Sequence, residues 1–348
     1  MSKTEVGLLG ATGMVGQHFI KFLDGHPLFE LTWLGASERS AGKRYTEAAK
    51  WHLSGGIPEP IAARKVEDAK PGSAPQLLFS AMDASVATEI EQAFASAGHV
   101  IVSNSRNHRM DRDVPLVVPE VNADHLKLIP GQQRARGWKG QIVTNPNCST
   151  IVLTMALAPL RQFGIDRVIA TTLQAVSGAG YPGVASMDIV GNVVPFIGGE
   201  EEKMQQETQK ILGHFAGDHI EPLSARVSAH CNRVPVVDGH TVTISVAFTA
   251  QPTEQDIRHA LESFSSVPQE RNLPSAPKRP VHYMLESDRP QPRKDAERER
   301  GMATCVGRLR PCPVFDWKFV ALSHNTIRGA AGAAVLNAEL MLSEGLLD

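Results

Sequence analysis

The feature that most constrains this chain is a glycine-rich turn within its first twenty residues. A short apolar run at 6–9 leads into GATGMVG at 10–16, and an apolar stretch with helical spacing follows at 15–23. Strand, glycine turn and helix in this order predict the first unit of a dinucleotide-binding fold. Gly10, Gly13 and Gly16 would let the backbone approach a pyrophosphate, and the helix start would offer N–H donors. The alternative is a merely structural turn.

The rest of the N-terminal half continues the same alternation of strands and helices. Apolar runs at 31–36, 76–80 and 99–103 are typical of buried strands, and 84–97 has the spacing of a helix. Strands that alternate with helices over about 145 residues predict a doubly wound, Rossmann-type parallel sheet.

The pattern changes after residue 145. The segment 149–163 predicts a long apolar helix, and 167–176 and 240–250 predict longer strands. We expect an α+β catalytic and dimerisation domain with a mixed or antiparallel sheet. The Pro-rich, charged segment 267–302 predicts an exposed arm, and 325–347 predicts a helix that packs back on the first domain. The expected domains are 1–146 with 325–348, and 147–324.

Charge and composition exclude several classes of protein. Lys plus Arg number 35 and Asp plus Glu number 37, a balance that argues against a nucleic-acid partner. No apolar run approaches the ~20 residues that span a bilayer, and the N-terminus lacks the apolar core of a signal peptide. Four cysteines are too few for a disulfide scaffold. We therefore expect a soluble, cytoplasmic protein.

The residues after the second strand bear on the choice of cofactor. An NAD site usually carries Asp or Glu at this point, whereas an arginine there can hold the 2′-phosphate of NADP. The chain has Ser37, Arg39 and Ser40 together with Glu38. The arginine and the hydroxyls favour NADP, while Glu38 leaves NAD as the alternative.

One cysteine stands apart from the other three. Cys148 follows Asn-Pro-Asn at the predicted start of the 149–163 helix. The helix dipole favours a thiolate at such a position, which suits a covalent nucleophile. Cys231, Cys305 and Cys312 fit inert structural positions, and their spacing does not form a zinc set.

Two polar clusters accompany the cysteine. Arg233 and His240 lie seven residues apart and could reach one cleft, although a histidine there could equally be a core residue. In the run 199–203, Glu201 and Glu202 fit solvated partners of a helix dipole, whereas Lys203 could bind an anion.

These motifs together resemble the aspartate-β-semialdehyde dehydrogenase family, and most closely its archaeal and fungal branch. Seven motifs occur in the family's order over nearly the whole chain: GATGMVG, SNSRNHR, NPNCST, LQAVSGAGYPG, GGEEEK, HCNRVPVVDGH and NTIRGAAGA. The segment 268–300 is unlike the bacterial branch.

The resemblance implies a role for each matched residue. Cys148 corresponds to the acyl-thioester nucleophile, His240 to the general acid/base and Gln174 to a residue that orients the substrate. The resemblance also implies substrate contacts. Arg233 would bind the α-carboxylate, Glu200 the amino group, and Lys203 and Arg109 the phosphate; Asn147 is a further substrate-binding residue. The NADP contacts implied are Gly10, Thr12, Gly13, Met14, Val15, Ser37, Arg39, Ser40, Ser80, Asn104, Ser177, Gly178 and Asn325.

The implied reaction is the reversible, NADPH-dependent conversion of β-aspartyl phosphate into aspartate β-semialdehyde and phosphate, without a metal. It would serve the biosynthesis of threonine, methionine, isoleucine and, in some organisms, lysine. The alternatives are N-acetyl-glutamyl-phosphate reductase and malonyl-CoA reductase, which also use a cysteine nucleophile. The substrate of neither enzyme has a free amine for Glu200. A non-catalytic NADP sensor would be expected to have lost the nucleophile, its base or the phosphate-binding cations, and all four residues are present. A cysteine hydrolase has no use for a dinucleotide. The family resemblance also implies a homodimer or a homotetramer.

Overall fold

The computed structural model describes residues 2–347, and most of the strands in that range belong to two six-stranded sheets. The strands are β1 (Thr4–Leu9), β2 (Phe29–Ala36), β3 (Glu67–Asp68), β4 (Leu77–Ser80), β5 (Val100–Ser103), β6 (Gln141–Thr144), β7 (Ile165–Gln174), β8 (His214–Phe215), β9 (Ile220–Glu221), β10 (Arg226–Arg233), β11 (His240–Phe248), β12 (Val281–Met284), β13 (Thr304–Pro311) and β14 (Trp317–Ser323). The α-helices are α1 (Met14–Leu23), α2 (Tyr45–Ala48), α3 (Glu59–Ala62), α4 (Ala84–Ser96), α5 (Pro119–Asn122), α6 (Ile129–Arg136), α7 (Cys148–Leu157), α8 (Ser186–Ile189), α9 (Glu200–Ile211), α10 (Glu254–Glu262), α11 (Val267–Glu270), α12 (Pro292–Asp295) and α13 (Gly332–Ser343).

The first sheet is parallel and has the order β3-β2-β1-β4-β5-β6. This is the doubly wound order of dinucleotide-binding folds, so the prediction for the N-terminal half is confirmed. The central strands are buried on both faces, as the unbroken burial of 6–9 and 77–80 illustrates. That burial explains why these segments read as continuous apolar runs in the sequence.

The second sheet is mixed, one of the two arrangements expected, with the order β10-β7-β11-β14-β13-β12. Its four central strands are antiparallel, whereas β10 runs parallel to β7 and β12 runs parallel to β13. On β7 buried and exposed residues alternate, and Ile169 and Leu173 remain about 40% and 39% exposed. One face of this sheet is therefore left open.

Helix α7 packs in the core on the covered face of the second sheet. Nine of its ten residues are buried, from Ser149 to Leu157, as expected of a helix that is apolar on all sides. The prediction of one helix over 149–163 holds in part, because the α-helix ends at Leu157 and a 3₁₀ turn continues to Phe163. Pro159 lacks the N–H that the next α-helical hydrogen bond would need.

The prediction of an exposed arm at 267–302 is wrong. The segment contributes α11, the edge strand β12 and α12, and several of its residues are buried. Asp295 is 1% exposed, and it accepts hydrogen bonds from Arg289 Nε and from the Gln291 amide, both at 2.7 Å. Charged residues that pair in this way can be buried, which composition alone does not reveal.

The C-terminal segment returns to the first sheet, as predicted. A π-helical turn at Ile327–Ala331 leads into α13, where ten of twelve residues are buried. Ala334, Val335 and Leu340 pack in the same apolar cluster as Val6 and Phe79. The division into 1–146 with 325–348 and 147–324 stays a prediction, and its first and last residues lie outside the described range.

Within residues 2–347, none of the helices has both the length and the apolar character needed to cross a membrane.

Candidate active site

The glycine turn forms a tight cradle between β1 and α1. Gly10 adopts a φ of +76°, a left-handed conformation that favours glycine. A Cβ on Gly16 would lie 2.4 Å from the Gly10 carbonyl oxygen and 2.8 Å from that of Ala11, so no larger residue fits. Gly13 caps α1 without a side-chain hydrogen bond. The N–H groups of the first helical turn are therefore available to an anion.

The loop after β2 carries the residues predicted to select the cofactor. Ser37, Glu38 and Arg39 are exposed, and Ser40 is half-buried where its amide closes a turn on the Ser37 carbonyl at 2.8 Å. Glu38 lies 3.8 Å from Lys70 Nζ. Arg39 forms no salt bridge within residues 2–347, so its guanidinium is free to meet an anion.

Cys148 occupies the first position of α7. The chain leaves β6, passes through 145–147 and enters the helix with Asn147 as N-cap. The Asn147 Oδ1 accepts hydrogen bonds from the Ser149 and Thr150 amides at 3.0 and 3.3 Å. Behind the cysteine lies Gly329, where a Cβ would come within 2.6 Å of the Cys148 Cβ.

Glu200, the first residue of α9, is hydrogen-bonded from three directions. Asn147 Nδ2 donates to both carboxylate oxygens at 2.8 and 3.0 Å, Gln174 Nε2 donates at 3.2 Å, and Lys203 Nζ lies 2.8 Å away. Burial opposes the charged form, but Lys203 and these amide donors hold the pKa of Glu200 below its usual value. The carboxylate is thus kept ionised at the site, and Asn147 and Gln174 hold it in place.

A second carboxylate on the same helix links Arg109 to the backbone amide of Asn147, the residue before Cys148. Glu207 Oε1 accepts from Arg109 Nη1 at 3.0 Å, and Glu207 Oε2 accepts from the Asn147 amide at 2.7 Å. Arg109 Nη2 also donates to the Asn104 carbonyl at 2.8 Å. Glu207 was not among the predicted residues. Its position seven residues after Glu200, two helical turns along one face of α9, is the signal that could have revealed it.

Sheet topology brings Gln174, Arg233 and His240 to one edge of the second sheet. Gln174 ends β7 and Arg233 ends the parallel strand β10, where the two residues are register partners. His240 begins β11, which runs antiparallel to β7, so its start lies beside the end of β7. Arg233 is buried and donates to the Ala175 carbonyl at 2.7 Å, and it forms no ion pair with a carboxylate of residues 2–347.

Burial dominates the electrostatics of this cluster. It raises the pKa of the Cys148 thiol to about 12; Glu200 acts in the same direction, and Arg109 and Arg233 oppose it. It lowers the pKa of His240 to about 3, with Arg233 adding to the effect. In the free chain, burial thus opposes the thiolate form that the position at the helix start was expected to favour.

The remaining predicted cofactor residues form two groups. Asn325 Nδ2 donates to Ser177 Oγ at 2.8 Å. Ser177 and Met14 line a cavity of about 720 Å³ between α1 and residues of loops that flank the strands of the second sheet, among them Val237 and Asp238. Asn104 Oδ1 accepts from Asn145 Nδ2 at 2.8 Å, whereas the Ser80 hydroxyl donates to the buried Glu91 at 2.6 Å. A cofactor contact by the Ser80 side chain stays a prediction.

Comparison with known proteins gives a consistent result. Residues 5–129 match the family model described as the NAD binding domain of semialdehyde dehydrogenase, and residues 157–328 match its dimerisation domain. The aspartate-semialdehyde dehydrogenase of Methanothermobacter thermautotrophicus is 51% identical over 97% of this chain and 98% of its own length. That of Schizosaccharomyces pombe is 48% identical, with both chains covered fully. The chain belongs to the aspartate-semialdehyde dehydrogenase family.

Solved structures support the same family assignment. The crystal structure of aspartate-semialdehyde dehydrogenase with NADP from Candida albicans superposes with a TM-score of 0.92 at 43% identity, covering 99% of this chain and all of that one. The aspartate-semialdehyde dehydrogenase II of Vibrio cholerae gives a TM-score of 0.78 at 27% identity, with 99% of both chains covered. The family's dimerisation domain includes β7, whose exposed face fits self-association of this chain.

One further pair lies close to Cys148 in this member of the aspartate-semialdehyde dehydrogenase family, and sequence reasoning missed it. Arg328, in the π-helical turn, forms a bidentate ion pair with Glu120 at 2.8 and 2.6 Å, and neither side chain is exposed to solvent. Arg328 Nη2 also lies 3.0 Å from the Met155 sulfur on α7. The pair fixes the turn that presses Gly329 against Cys148. Its only sequence signal was an arginine within an otherwise small-residue, apolar segment.

Proposed function

We propose that this chain is an NADP-dependent aspartate-semialdehyde dehydrogenase that interconverts β-aspartyl phosphate and aspartate β-semialdehyde plus phosphate. One observation carries the substrate assignment: a buried carboxylate and a buried guanidinium lie at one site beside Cys148. Glu200 is held by Asn147, the residue before Cys148, and by Gln174, which is the register partner of Arg233. A substrate with a free α-amino group and an α-carboxylate complements that pair of charges. N-acetyl-glutamyl phosphate and malonyl-CoA have no amine for Glu200.

The cofactor assignment rests on the glycine cradle and on the loop after β2. Gly16 leaves no room for a side chain against the turn, which keeps the backbone close enough to bind a pyrophosphate. Arg39, without a carboxylate partner in residues 2–347, suits the 2′-phosphate of NADP, and Glu38 lies near Lys70. When bound, NADP takes up or supplies the hydride of the reaction.

The residues of the chain perform the remaining chemistry. The Cys148 sulfur attacks the substrate carbonyl and carries the acyl group as a thioester. Glu200 and Arg233 hold the amino and carboxylate groups, so that the carbonyl meets the sulfur. Arg109 and Lys203 hold the phosphate group; their partners Glu207 and Glu200 fix the position of the two cations. Asn147 and Gln174 act as positioning residues through Glu200.

The assay that tests this function follows NADPH absorbance with aspartate β-semialdehyde and NADP, with and without phosphate. Phosphate-dependent reduction of NADP is expected. In the Cys148→Ala variant we expect turnover to be abolished and NADPH binding, followed by fluorescence, to persist. Activity above a few per cent of wild type would remove Cys148 as the nucleophile. Activity with N-acetyl-glutamate semialdehyde or malonyl-CoA, but not with the aspartyl substrate, would remove the substrate assignment.

Assembly and location complete the proposal. We infer that the open face of β7 pairs with that of a second copy in a homodimer, or in a homotetramer of two such dimers. Light scattering separates twice from four times 37.6 kDa. A reactive thiol must stay reduced, which favours the cytoplasm, and cell fractionation tests that location.

A further inference from the structure

Helix α9 carries four charged residues on one of its faces. Glu200, Lys203, Glu207 and Lys210 are separated by three or four residues, the spacing that places side chains on the same side of a helix. Glu207 and Lys210 lie about one and two turns beyond Lys203, and they are only 1% and 7% exposed. A buried charge is costly unless it is paired, so the partners of these two residues indicate what they do.

Glu207 joins the guanidinium of Arg109 to the backbone beside the nucleophile. Its Oε1 accepts from Arg109 Nη1 at 3.0 Å, and its Oε2 accepts from the Asn147 amide at 2.7 Å. Asn147 is the N-cap of α7, and Cys148 is the first residue of that helix. One carboxylate therefore fixes the position of Arg109 relative to the start of the helix that carries the cysteine.

Lys210 holds the backbone that carries Arg109. Its Nζ donates to the carbonyl oxygens of Arg109 and Asp111 at 2.8 Å and to that of Val114 at 2.9 Å. An ammonium group has three N–H donors, so all of them are used here. Burial lowers the pKa of Lys210 to about 8, and neighbouring carboxylates oppose this effect, so the group is charged at neutral pH.

These contacts leave part of the Arg109 guanidinium for a ligand. Nη1 is bound by Glu207, and Nη2 donates to the Asn104 carbonyl. Arg109 Nε and Asn104 Nδ2 are buried and have no hydrogen-bond partner within residues 2–347. Buried N–H donors rarely lack an acceptor, and an anion would supply one to both. The guanidinium is thus held at its two terminal nitrogens while donors remain beside it.

We propose that Glu207 and Lys210 are positioning residues for the phosphate step of the reaction, because they hold Arg109 by its side chain and by its backbone at a fixed place relative to Cys148. Attack of phosphate on the thioester then depends on these two residues more than formation of the thioester does. The inference rests on the proposed function and deepens it, because it assigns to one step two residues that the sequence motifs did not identify.

The two steps make different demands on Arg109. In the first, the aldehyde, the Cys148 thiol and NADP give the thioester, NADPH and a proton. In the second, the hydrogen phosphate dianion forms a C–O bond to the thioester carbon, the C–S bond breaks, and the phosphate proton ends on the sulfur. Only the second step brings a dianion to the guanidinium, and binding of a phosphate by arginine depends on the geometry of its N–H groups as well as on charge.

Two substitutions of Glu207 separate position from charge. Aspartate keeps the charge but is one methylene shorter, so it cannot reach both Arg109 and the Asn147 amide. Glutamine keeps the length, but only its oxygen can accept a hydrogen bond. We expect both variants to raise KM for phosphate about tenfold or more and KM for the aldehyde by less than about twofold. The matched control is Glu202→Gln, an exposed glutamate on the same helix, which should change neither KM.

Mixing the enzyme with aldehyde and NADP in the absence of phosphate isolates the first step. We expect a burst of about one NADPH per site in wild type and in both Glu207 variants. Lys210→Met keeps the length of the side chain but removes its donors, and at pH 7 it should show the same selective rise in KM for phosphate. Melting temperatures show which variants are folded; if Lys210→Met is not, the two Glu207 variants decide.

Several outcomes would overturn the proposal. These are equal rises in the two KM values, loss of the NADPH burst in a folded variant, or a KM for phosphate in Glu207→Gln below that of wild type, which would show that Glu207 only weakens the charge of Arg109. If the wild-type enzyme fails to turn over the aspartyl substrate, the proposed function fails. The dissociation constant of inorganic phosphate, measured by ³¹P NMR with the free enzyme, then still tests the positioning role. It should rise in both Glu207 variants, and an unchanged value would overturn the proposal.

Discussion

Replacing Arg328 with methionine should destabilise the protein by about 3–5 kcal/mol at neutral pH, the range for breaking a buried ion pair. Arg328 and Glu120 are both fully buried and are joined by two hydrogen bonds of 2.8 and 2.6 Å. Methionine retains most of the apolar stem but leaves the carboxyl group of Glu120 without its partner. The protein must then bury either a lone charge or a protonated acid.

The cost of protonating the lone acid sets the pH dependence. An unperturbed glutamate has a pKa of about 4.3, and each pH unit above it costs about 1.36 kcal/mol. Keeping such a group neutral therefore costs about 3.7 kcal/mol at pH 7 and about 1 kcal/mol at pH 5. The folded variant holds a proton that the unfolded chain releases, so its stability falls as pH rises. Between pH 5 and pH 7 the loss should grow by about 2.7 kcal/mol.

Urea unfolding at pH 5 and pH 7, at fixed protein concentration, measures this difference against wild type. Glu120→Gln is the matched control. It leaves a buried guanidinium that cannot give up its proton, so the stability that Glu120→Gln loses should not become smaller at pH 5. The double variant with Arg328→Met and Glu120→Gln should recover most of the stability. This reasoning would be refuted if Arg328→Met lost the same stability at both pH values. It would also be refuted if the double variant were no more stable than Arg328→Met alone.

Other predictions concern the site itself. Lys203→Ala should raise KM for phosphate at least tenfold more than KM for the aldehyde in steady-state assays; equal changes would contradict phosphate binding. Because burial raises the Cys148 pKa to about 12, alkylation of the free enzyme should speed up about tenfold per pH unit from pH 7 to pH 9, and a plateau near pH 8 would contradict this. Gly16→Ala should weaken NADPH binding about tenfold or more by calorimetry, since its Cβ would meet the Gly10 oxygen at 2.4 Å. Arg39→Ala should weaken NADPH binding but not NADH binding, and a parallel loss of both would contradict a 2′-phosphate contact.

Much of the fold could be predicted because it depends on local patterns. The glycine turn and the apolar runs of β1, β4 and β5 specify a strand–turn–helix order that has few other solutions. The segment 267–302 could not be predicted in the same way. Its charges indicate exposure unless the partner is known, and Asp295 becomes buried where α12 packs against β14, with Arg289 as its partner.

The candidate site, too, was predictable from the sequence only in part. The sequence alone determined which chemical groups are present: a thiol at a helix start, a histidine, and arginines and carboxylates within recognisable motifs. Only the tertiary structure decided their partners, because Cys148, Glu200 and the neighbouring pair Arg233 and His240 come from segments far apart in the chain. The contact of Glu207 with Arg109, the Ala175 amide on His240 and the burial that raises the Cys148 pKa are all long-range effects. Protonation states follow from desolvation and neighbouring charges, and these exist only once the chain has folded.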